Sequence, residues 1–176
     1  MHKEVRDFVT RLKDRFPGQF KKADVLEYGA RDINGSVRYL FDDSTILGVD
    51  CVDGPNVDVV SYAHDFKQYG DEFSCVFSTE ALEHDPWWQK TLDAMVKNTM
   101  PGGLMFFTCA TTGRPEHGTT DKPYHTGHCE GPDPSYYRNL TEDDIRETLV
   151  LSDFSEYGFE VMDCRLAGLF FWGIVK

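Results

Sequence analysis

The chain has 176 residues, 40% of them hydrophobic and 14% aromatic, which is enough for one domain with a real core. Its formal net charge of -12 opposes a phosphate backbone and disfavours a nucleic-acid partner. The sequence has no apolar run of about 18 residues, so no membrane-spanning helix is expected.

The opening stretch, "MHKEVRDFVTRLKDRF", is charged throughout and lacks the apolar core of a signal peptide. Within the N-terminal segment 1–22, Val5, Phe8, Val9, Leu12 and Phe16 recur at helical spacing, which predicts a helix over 3–16 that stops at Pro17-Gly18. "ADVLEYG" reads as a first buried strand. A helix start is expected over 36–41, with Ser36 near its N-cap. "STILGVD" is a second strand ending at Asp50. "VDVVSYAHD" is a third, ending near Asp65, and "FSCVFSTE" a fourth, ending near Glu80. "DPWWQKTLDAMVKNTM" has a helical pattern with Pro86 in its first turn. "PGG" ends that helix, and "LMFFTCA" is a fifth strand. Residues 111–140 break the rhythm. They are rich in Gly, Pro, His, Thr and Tyr and read as one long functional loop or lid. A helix follows over 141–154, with Thr141 as N-cap and Asp144 three residues on, close to a capping box. "GFEVMDCRL" and "LFFWGIVK" are two final strands, read as an edge hairpin.

Strand and helix alternate at short intervals. That rhythm gives a single α/β domain over 1–176, doubly wound and Rossmann-like. Its expected sheet has seven mostly parallel strands, with helices on both faces and the last strand antiparallel. The five cysteines are scattered and none forms a CxxC pair, which fits a reduced, cytoplasmic setting.

In such a sheet ligands bind outside the carboxyl ends of the strands, and the informative residues lie there. Gly29 ends the first strand, Asp50 the second, Asp65 the third, and Ser78 to Glu80 the fourth. A dinucleotide site needs GxGxxG so that the backbone can approach a pyrophosphate. Here "GARDING" lacks the middle glycine, and Asp32 would repel phosphates. A cationic ligand without phosphate suits the loop better. The sulfonium and amino groups of S-adenosylmethionine are of that kind. Asp50, about 20 residues beyond Gly29, can accept both ribose hydroxyls. Asp65 beside Phe66 suits an adenine.

The order of "VLEYGARDINGS", "ILGVD", "AHDF", "FSTEALEH" and "PGG" resembles the class I S-adenosylmethionine-dependent methyltransferases, in particular their small single-domain members. The resemblance implies that Gly29 and Gly35 shape the methionine pocket and Glu27 orients the amino group. It implies Asp50 for the ribose and Asp65 and Phe66 for the adenine, with Cys51 and Ser78 completing the cofactor site. The departure from the family is the lost GxGxG spacing.

A small-molecule acceptor would lie between the fourth strand end and the long loop. His84 is the first candidate for a base or orienting group and His117 the second. Trp87, Trp88, Tyr136, Tyr137 and Arg138 are candidates for holding the acceptor. Glu80-x-x-Glu83-His84 also resembles the ExxEH arrangement of metal-assisted O-methyltransferases. Glu80, Glu83 and His84, with His117 or His125, could hold Mg²⁺ or Mn²⁺ against a diol, catechol or sugar hydroxyl, or an RNA end that the net charge disfavours. His125-x-x-His128-Cys129 invites a zinc reading with no second ligand cluster at proper spacing. An oxygen acceptor is slightly favoured over nitrogen. The rivals are an NAD(P)-dependent oxidoreductase and a non-catalytic cofactor-binding module.

Overall fold

The apolar stripe of the first segment forms helix α1 (Lys3–Arg15), which buries Val5, Phe8, Val9 and Leu12. The computed structural model describes residues 2–66, 73–124, 131, 133–162 and 167–176. Seven strands follow: β1 (Asp24–Tyr28), β2 (Thr45–Asp50), β3 (Val59–Val60), β4 (Phe73–Thr79), β5 (Thr99–Ala110), β6 (Phe154–Met162) and β7 (Gly168–Val175). Helix α2 (Trp88–Asn98) joins β4 to β5, and α3 (Glu142–Thr148) precedes β6. The strands form one sheet in the order β3-β2-β1-β4-β5-β7-β6. Strands β1 to β5 pair in parallel, and β7 runs antiparallel to both β5 and β6. The expected antiparallel last strand and terminal hairpin are both present.

Side chains alternate across the sheet, so each central strand feeds two cores. Leu26, Val76, Met105, Phe107 and Phe171 face α2 and α3. Val25, Phe77, Phe106 and Phe170 face α1. The helix before β6 begins as its sequence predicts. The Thr141 hydroxyl accepts from the Asp144 amide, and the Asp144 carboxylate accepts from the Thr141 amide, which closes a capping box.

Several elements depart from their sequence expectation. The helix expected over 141–154 is only Glu142–Thr148, because Leu149 leaves helical geometry and Phe154 already opens β6. The helix expected over 36–41 is a single 3-10 turn, Arg38–Leu40. Phe41 stacks on Phe20 at 4.5 Å, and the Asp42 amide donates to the Phe20 carbonyl, so the chain must turn back after that one turn. The third strand is only Val59–Val60 because it lies at the sheet edge and pairs with β2 alone. The Tyr62 carbonyl then accepts from the Asp65 and Phe66 amides and curls the chain into a turn. Pro86 sits just before α2 rather than within its first turn. The Asp85 carboxylate sets the helix entry by accepting from the Trp87 amide and the Thr91 hydroxyl. Finally, α2 ends at Asn98, and Pro101 to Gly103 fall in a register irregularity of β5 rather than in the helix stop.

Strand order reverses between β1 and β4. That reversal opens a crevice at the carboxyl ends of these two strands.

Candidate active site

The crevice is a cavity of about 540 Å³, a size that suits small ligands. Its floor is the loop after β1. Gly29 has φ 69°, in the left-handed region, and its Cα lies so close to Ala81 that a Cβ there would collide with the Ala81 methyl. The Asp32 carboxylate accepts from the Gly35 amide at 2.6 Å and closes the loop on itself. Asp32 is therefore a loop-forming residue.

Asp50 ends β2 beneath this loop. Its carboxylate accepts from the Arg31 amide and the Val52 amide, each at 3.0 Å, and these two bonds fix its orientation toward the cavity. Cys51 also lines the cavity, and burial together with the Asp50 charge pushes its thiol up to about 12. Glu27 is 4% exposed and lines the cavity from β1. Burial pushes its carboxyl up to about 7, against the opposing pull of Arg38, which donates to it at 2.6 Å.

The third strand end contributes Tyr62, Ala63 and His64 to the cavity wall. The Asp65 side chain is 68% exposed, and Phe66 packs against the core and meets Tyr28 edge to face at 6.1 Å. Neither residue is part of the lining. Tyr62 and His64 stack in parallel, and both meet Trp87 edge on.

The opposite end of the cavity is built by the end of β4 and the chain after β5. Glu80 holds a left-handed φ of 54°, a strained conformation for a non-glycine residue, and its amide donates to the Thr108 carbonyl. Its carboxylate pairs with Arg114 at 3.2 Å. His84 lines the cavity beside His117, their ring centroids 5.3 Å apart. The His84 Nε2 lies 3.5 Å from the Tyr124 hydroxyl, and Tyr137 packs edge-on against both imidazoles. Burial, with help from the nearby His117 and the charge of Arg114, lowers the His84 pKa to about 3. The imidazole of His84 is thus uncharged at physiological pH. The His117 Nδ1 lies 2.9 Å from the Pro115 carbonyl. A carbonyl only accepts, so Nδ1 carries the proton and Nε2 keeps a free lone pair.

Glu83 is fully buried, and neither carboxylate oxygen has a hydrogen-bond partner among the described residues. Burial pushes its carboxyl up, and the charge of Glu80 adds to the effect. Single ligand atoms of Glu83, His84 and His117 lie within 4.8 Å of one another. Glu80 is outside this trio.

The cavity therefore brings together Glu27, Gly29, Gly35, Asp50, Cys51, Ser78, Glu80, His84, His117 and Tyr136 of the residues singled out from sequence. Trp88 is 3% exposed in the core, with the Arg138 guanidinium 5.6 Å above its ring. Arg138 itself bonds to Asp144 and the Glu83 carbonyl, away from the cavity. Tyr137 donates to Asn139. Among residues the sequence reading missed, Asp85, Arg114 and Tyr124 line the cavity. Only Asp85 carried a local signal, the Asp-Pro turn before an apolar helix. His125, His128 and Cys129 lie outside the described residues.

The sequence matches a family described as a methyltransferase domain over residues 1–143. The chain belongs to the class I S-adenosylmethionine-dependent methyltransferases. It is an enzyme of that class, and the oxidoreductase and non-catalytic alternatives give way to that membership. No curated protein matches the sequence. Solved structures agree in fold. The magnesium protoporphyrin IX methyltransferase of Synechocystis PCC 6803, with bound S-adenosylmethionine, is 12% identical with a TM-score of 0.65, over 98% of this chain and 79% of that one. The Burkholderia thailandensis 1,6-didemethyltoxoflavin-N1-methyltransferase is 16% identical with a TM-score of 0.62, over 98% and 87%. A Haemonchus contortus phosphoethanolamine N-methyltransferase is 17% identical with a TM-score of 0.66, over 95% of this chain and 51% of that one. Among the described residues, no helix of this methyltransferase is long and apolar enough to cross a membrane.

The site fits the cofactor. Gly29 and Ala81 pack in direct contact at the cavity floor, and the carboxylates of Glu27 and Asp50 line the cavity, a donor set that suits a cationic, hydroxylated ligand. S-adenosylmethionine, when bound, supplies a methyl group already activated on a sulfonium.

Proposed function

We propose that this methyltransferase methylates an oxygen of a small molecule bound between the end of β4 and the cavity-lining residues Arg114, His117, Tyr124 and Tyr136. Glu27 takes the cofactor amino group and Asp50 the ribose. The adenine lies at the third strand end against Tyr62 and His64, which take the place expected for Asp65 and Phe66. The observation that carries the acceptor reading is the pair of imidazoles at the cavity wall. A hydroxyl acceptor must lose a proton, whereas an amine already deprotonated needs no base. His117 is the better base of the two, because the Pro115 carbonyl holds the proton on Nδ1 and leaves Nε2 as the basic nitrogen, while burial lowers the His84 pKa to about 3. His84 orients the acceptor together with Tyr124. Tyr136 lines the acceptor side, while Trp87, Trp88, Tyr137 and Arg138 support the wall from behind. Incubating the enzyme with labelled S-adenosylmethionine and a panel of phenols, catechols, sugars and amines tests this. Label entering only amines would overturn it.

A second reading is metal-assisted, and the convergence of Glu83, His84 and His117 favours it. One carboxylate and two imidazoles suit Mn²⁺ or another borderline divalent ion better than Mg²⁺, which prefers oxygen ligands. The Glu83 oxygens and His84 Nδ1, which have no hydrogen-bond partner among the described residues, fit such an ion, and His117 is already oriented for it by Pro115. A divalent ion there would lower the pKa of a bound hydroxyl. Titration of the chelator-treated enzyme with Mn²⁺ tests this reading. Binding heat abolished by His117→Ala supports it, and equal heat in both proteins sinks it.

A further inference from the structure

We propose that Arg38 is a positioning residue of the cofactor site, which acts through Glu27 and holds its carboxylate ready for the cofactor amino group. The inference rests on the cofactor role given above to Glu27. Glu27 lies in the buried half of β1, where a carboxylate has little water to stabilise it. Arg38, in the 3-10 turn beyond the glycine loop, donates from Nε to the Glu27 Oε2 at 2.6 Å. Its Nη2 donates to the Asn56 carbonyl at 2.7 Å. One guanidinium thus ties three segments of the cavity floor: the end of β1, the turn after Gly35, and the loop between β2 and β3.

The sheet makes room for this fork. Gly48 is the register partner of Glu27 on β2. A Cβ at Gly48 would collide with both the Asn56 carbonyl and the Arg38 Nη2. The same loop is pinned again by the Asp58 carboxylate, which accepts from the Gly48 amide at 2.7 Å, and by the Asp58 amide, which donates to the Gly48 carbonyl. The missing side chain and the double anchor keep the Asn56 carbonyl where the guanidinium needs it. A planar fork that satisfies a carboxylate and a carbonyl together is a task for arginine rather than lysine.

The electrostatics agree with the geometry. Burial and the charges of Asp32 and Asp50 all push Glu27 toward its neutral form, and Arg38 is the cation that opposes them. Without Arg38 the carboxyl would hold its proton to higher pH, and a neutral carboxyl cannot pair with an ammonium group. Arg38 touches Glu27 and not the reacting atoms, so its effect must travel through that carboxylate.

The test is calorimetric binding of S-adenosylhomocysteine to wild type, Arg38→Met, Arg38→Lys, Glu27→Gln and the Glu27→Gln/Arg38→Met double variant, from about pH 6 to about pH 9. Methylthioadenosine, which lacks the amino-acid part, is the control ligand. Arg38→Met should bind S-adenosylhomocysteine roughly tenfold more weakly near neutral pH, recover as pH rises, and bind methylthioadenosine normally. The double variant should be no weaker than Glu27→Gln alone, because the two residues act as one unit. Arg38→Lys, which keeps the charge and is the variant to read if Arg38→Met does not fold, should fall between. Equal loss for both ligands at every pH would reduce Arg38 to a structural role and overturn the inference. If Glu27→Gln weakens binding but Arg38→Met and Arg38→Lys do not, the inference fails and the reading of Glu27 stands. If Glu27→Gln binds like wild type, the reading of Glu27 fails and the inference fails with it.

Discussion

The close approach of Gly29 to Ala81 in the cavity floor gives a direct test of the loop after β1. Gly29→Ala places a side chain on a residue with φ 69° and drives its methyl into Ala81. The left-handed backbone costs an alanine about 1–2 kcal/mol. Overpacking against Ala81, which leaves its neighbour nowhere to move, costs about 1–3 kcal/mol more. The sum is about 2–5 kcal/mol, and at about 2–4 °C per kcal/mol for a chain of this size the Tm should fall by about 4–20 °C. The two contributions separate in a double variant. Gly29→Ala/Ala81→Gly removes the collision but keeps the backbone strain, so it should recover the packing share and no more. Differential scanning calorimetry of the four proteins measures the coupling. Binding of S-adenosylhomocysteine should drop in Gly29→Ala and partly return in the double variant. A Gly29→Ala protein with wild-type Tm and wild-type affinity would refute both the contact and the role given to the loop. Additive losses in the double variant would refute the contact alone.

Three further outcomes follow from other parts of the molecule. Thr141→Ala breaks the capping box of α3 and should remove about 1 kcal/mol of stability, seen as a Tm lower by about 2–4 °C with cofactor affinity unchanged. The His84 pKa lies near 3 in the folded state against 6.5 ordinarily, so the unfolded chain binds a proton there that the folded one refuses. Its stability is then full above about pH 6.5 and is lost as pH falls, by about 2 kcal/mol at pH 5, and urea melts of His84→Gln should lack that acid slope. Glu83 works in the opposite direction, because its raised pKa lets the folded state keep a proton that the unfolded state gives up. Stability is full below about pH 4.5 and falls with rising pH, so Glu83→Gln in the presence of a chelator should gain on wild type toward alkaline pH. A constant gap across pH would contradict the burial of that carboxyl.

The parts of the site that were legible in the sequence are those written into contiguous residues. "VLEYG" spells a strand, a buried acid and a left-handed turn in adjacent positions, and Thr141 and Asp144 spell a cap three residues apart. Asp50 was readable because a strand end fixes where its side chain must go. The wall at the third strand was not. Its register depends on how soon an edge strand stops, and the Tyr62 carbonyl stops it earlier than the apolar pattern of "VDVVSYAHD" implies. That shift places Tyr62 and His64 in the lining and leaves Asp65 outside. Glu80 and Glu83 looked equivalent as carboxylates. Only the fold shows that Arg114, from beyond β5, pairs with Glu80, whereas Glu83 is buried with no ion-pair partner among the described residues.

The two halves of the cavity differ in how their polar groups are satisfied, and this bears on the acceptor. In the cofactor half the protein supplies its own partners: Arg38 for Glu27, the Gly35 amide for Asp32, and the Arg31 and Val52 amides for Asp50. In the other half the buried oxygens of Ser78, Glu80, Glu83 and Thr108 and the Nδ1 of His84 include atoms with no partner among the described residues. Each such atom costs about 1–3 kcal/mol if it stays unpaired, so a cluster of them is expensive wherever it serves only packing. Of these residues, Ser78, Glu80 and His84 line the cavity, where a ligand that brings hydrogen-bond donors would satisfy them. A polyhydroxylated or catechol-like acceptor brings several at once, whereas a purely apolar one would leave the cluster unsatisfied. Acceptors stripped of their spare hydroxyls should therefore lose activity through KM and kcat together, because those bonds also set the alignment of the reacting oxygen. If simple monohydric phenols proved as good as their polyhydroxylated counterparts, the cluster would have another purpose, and the bound divalent ion would be the first alternative to examine.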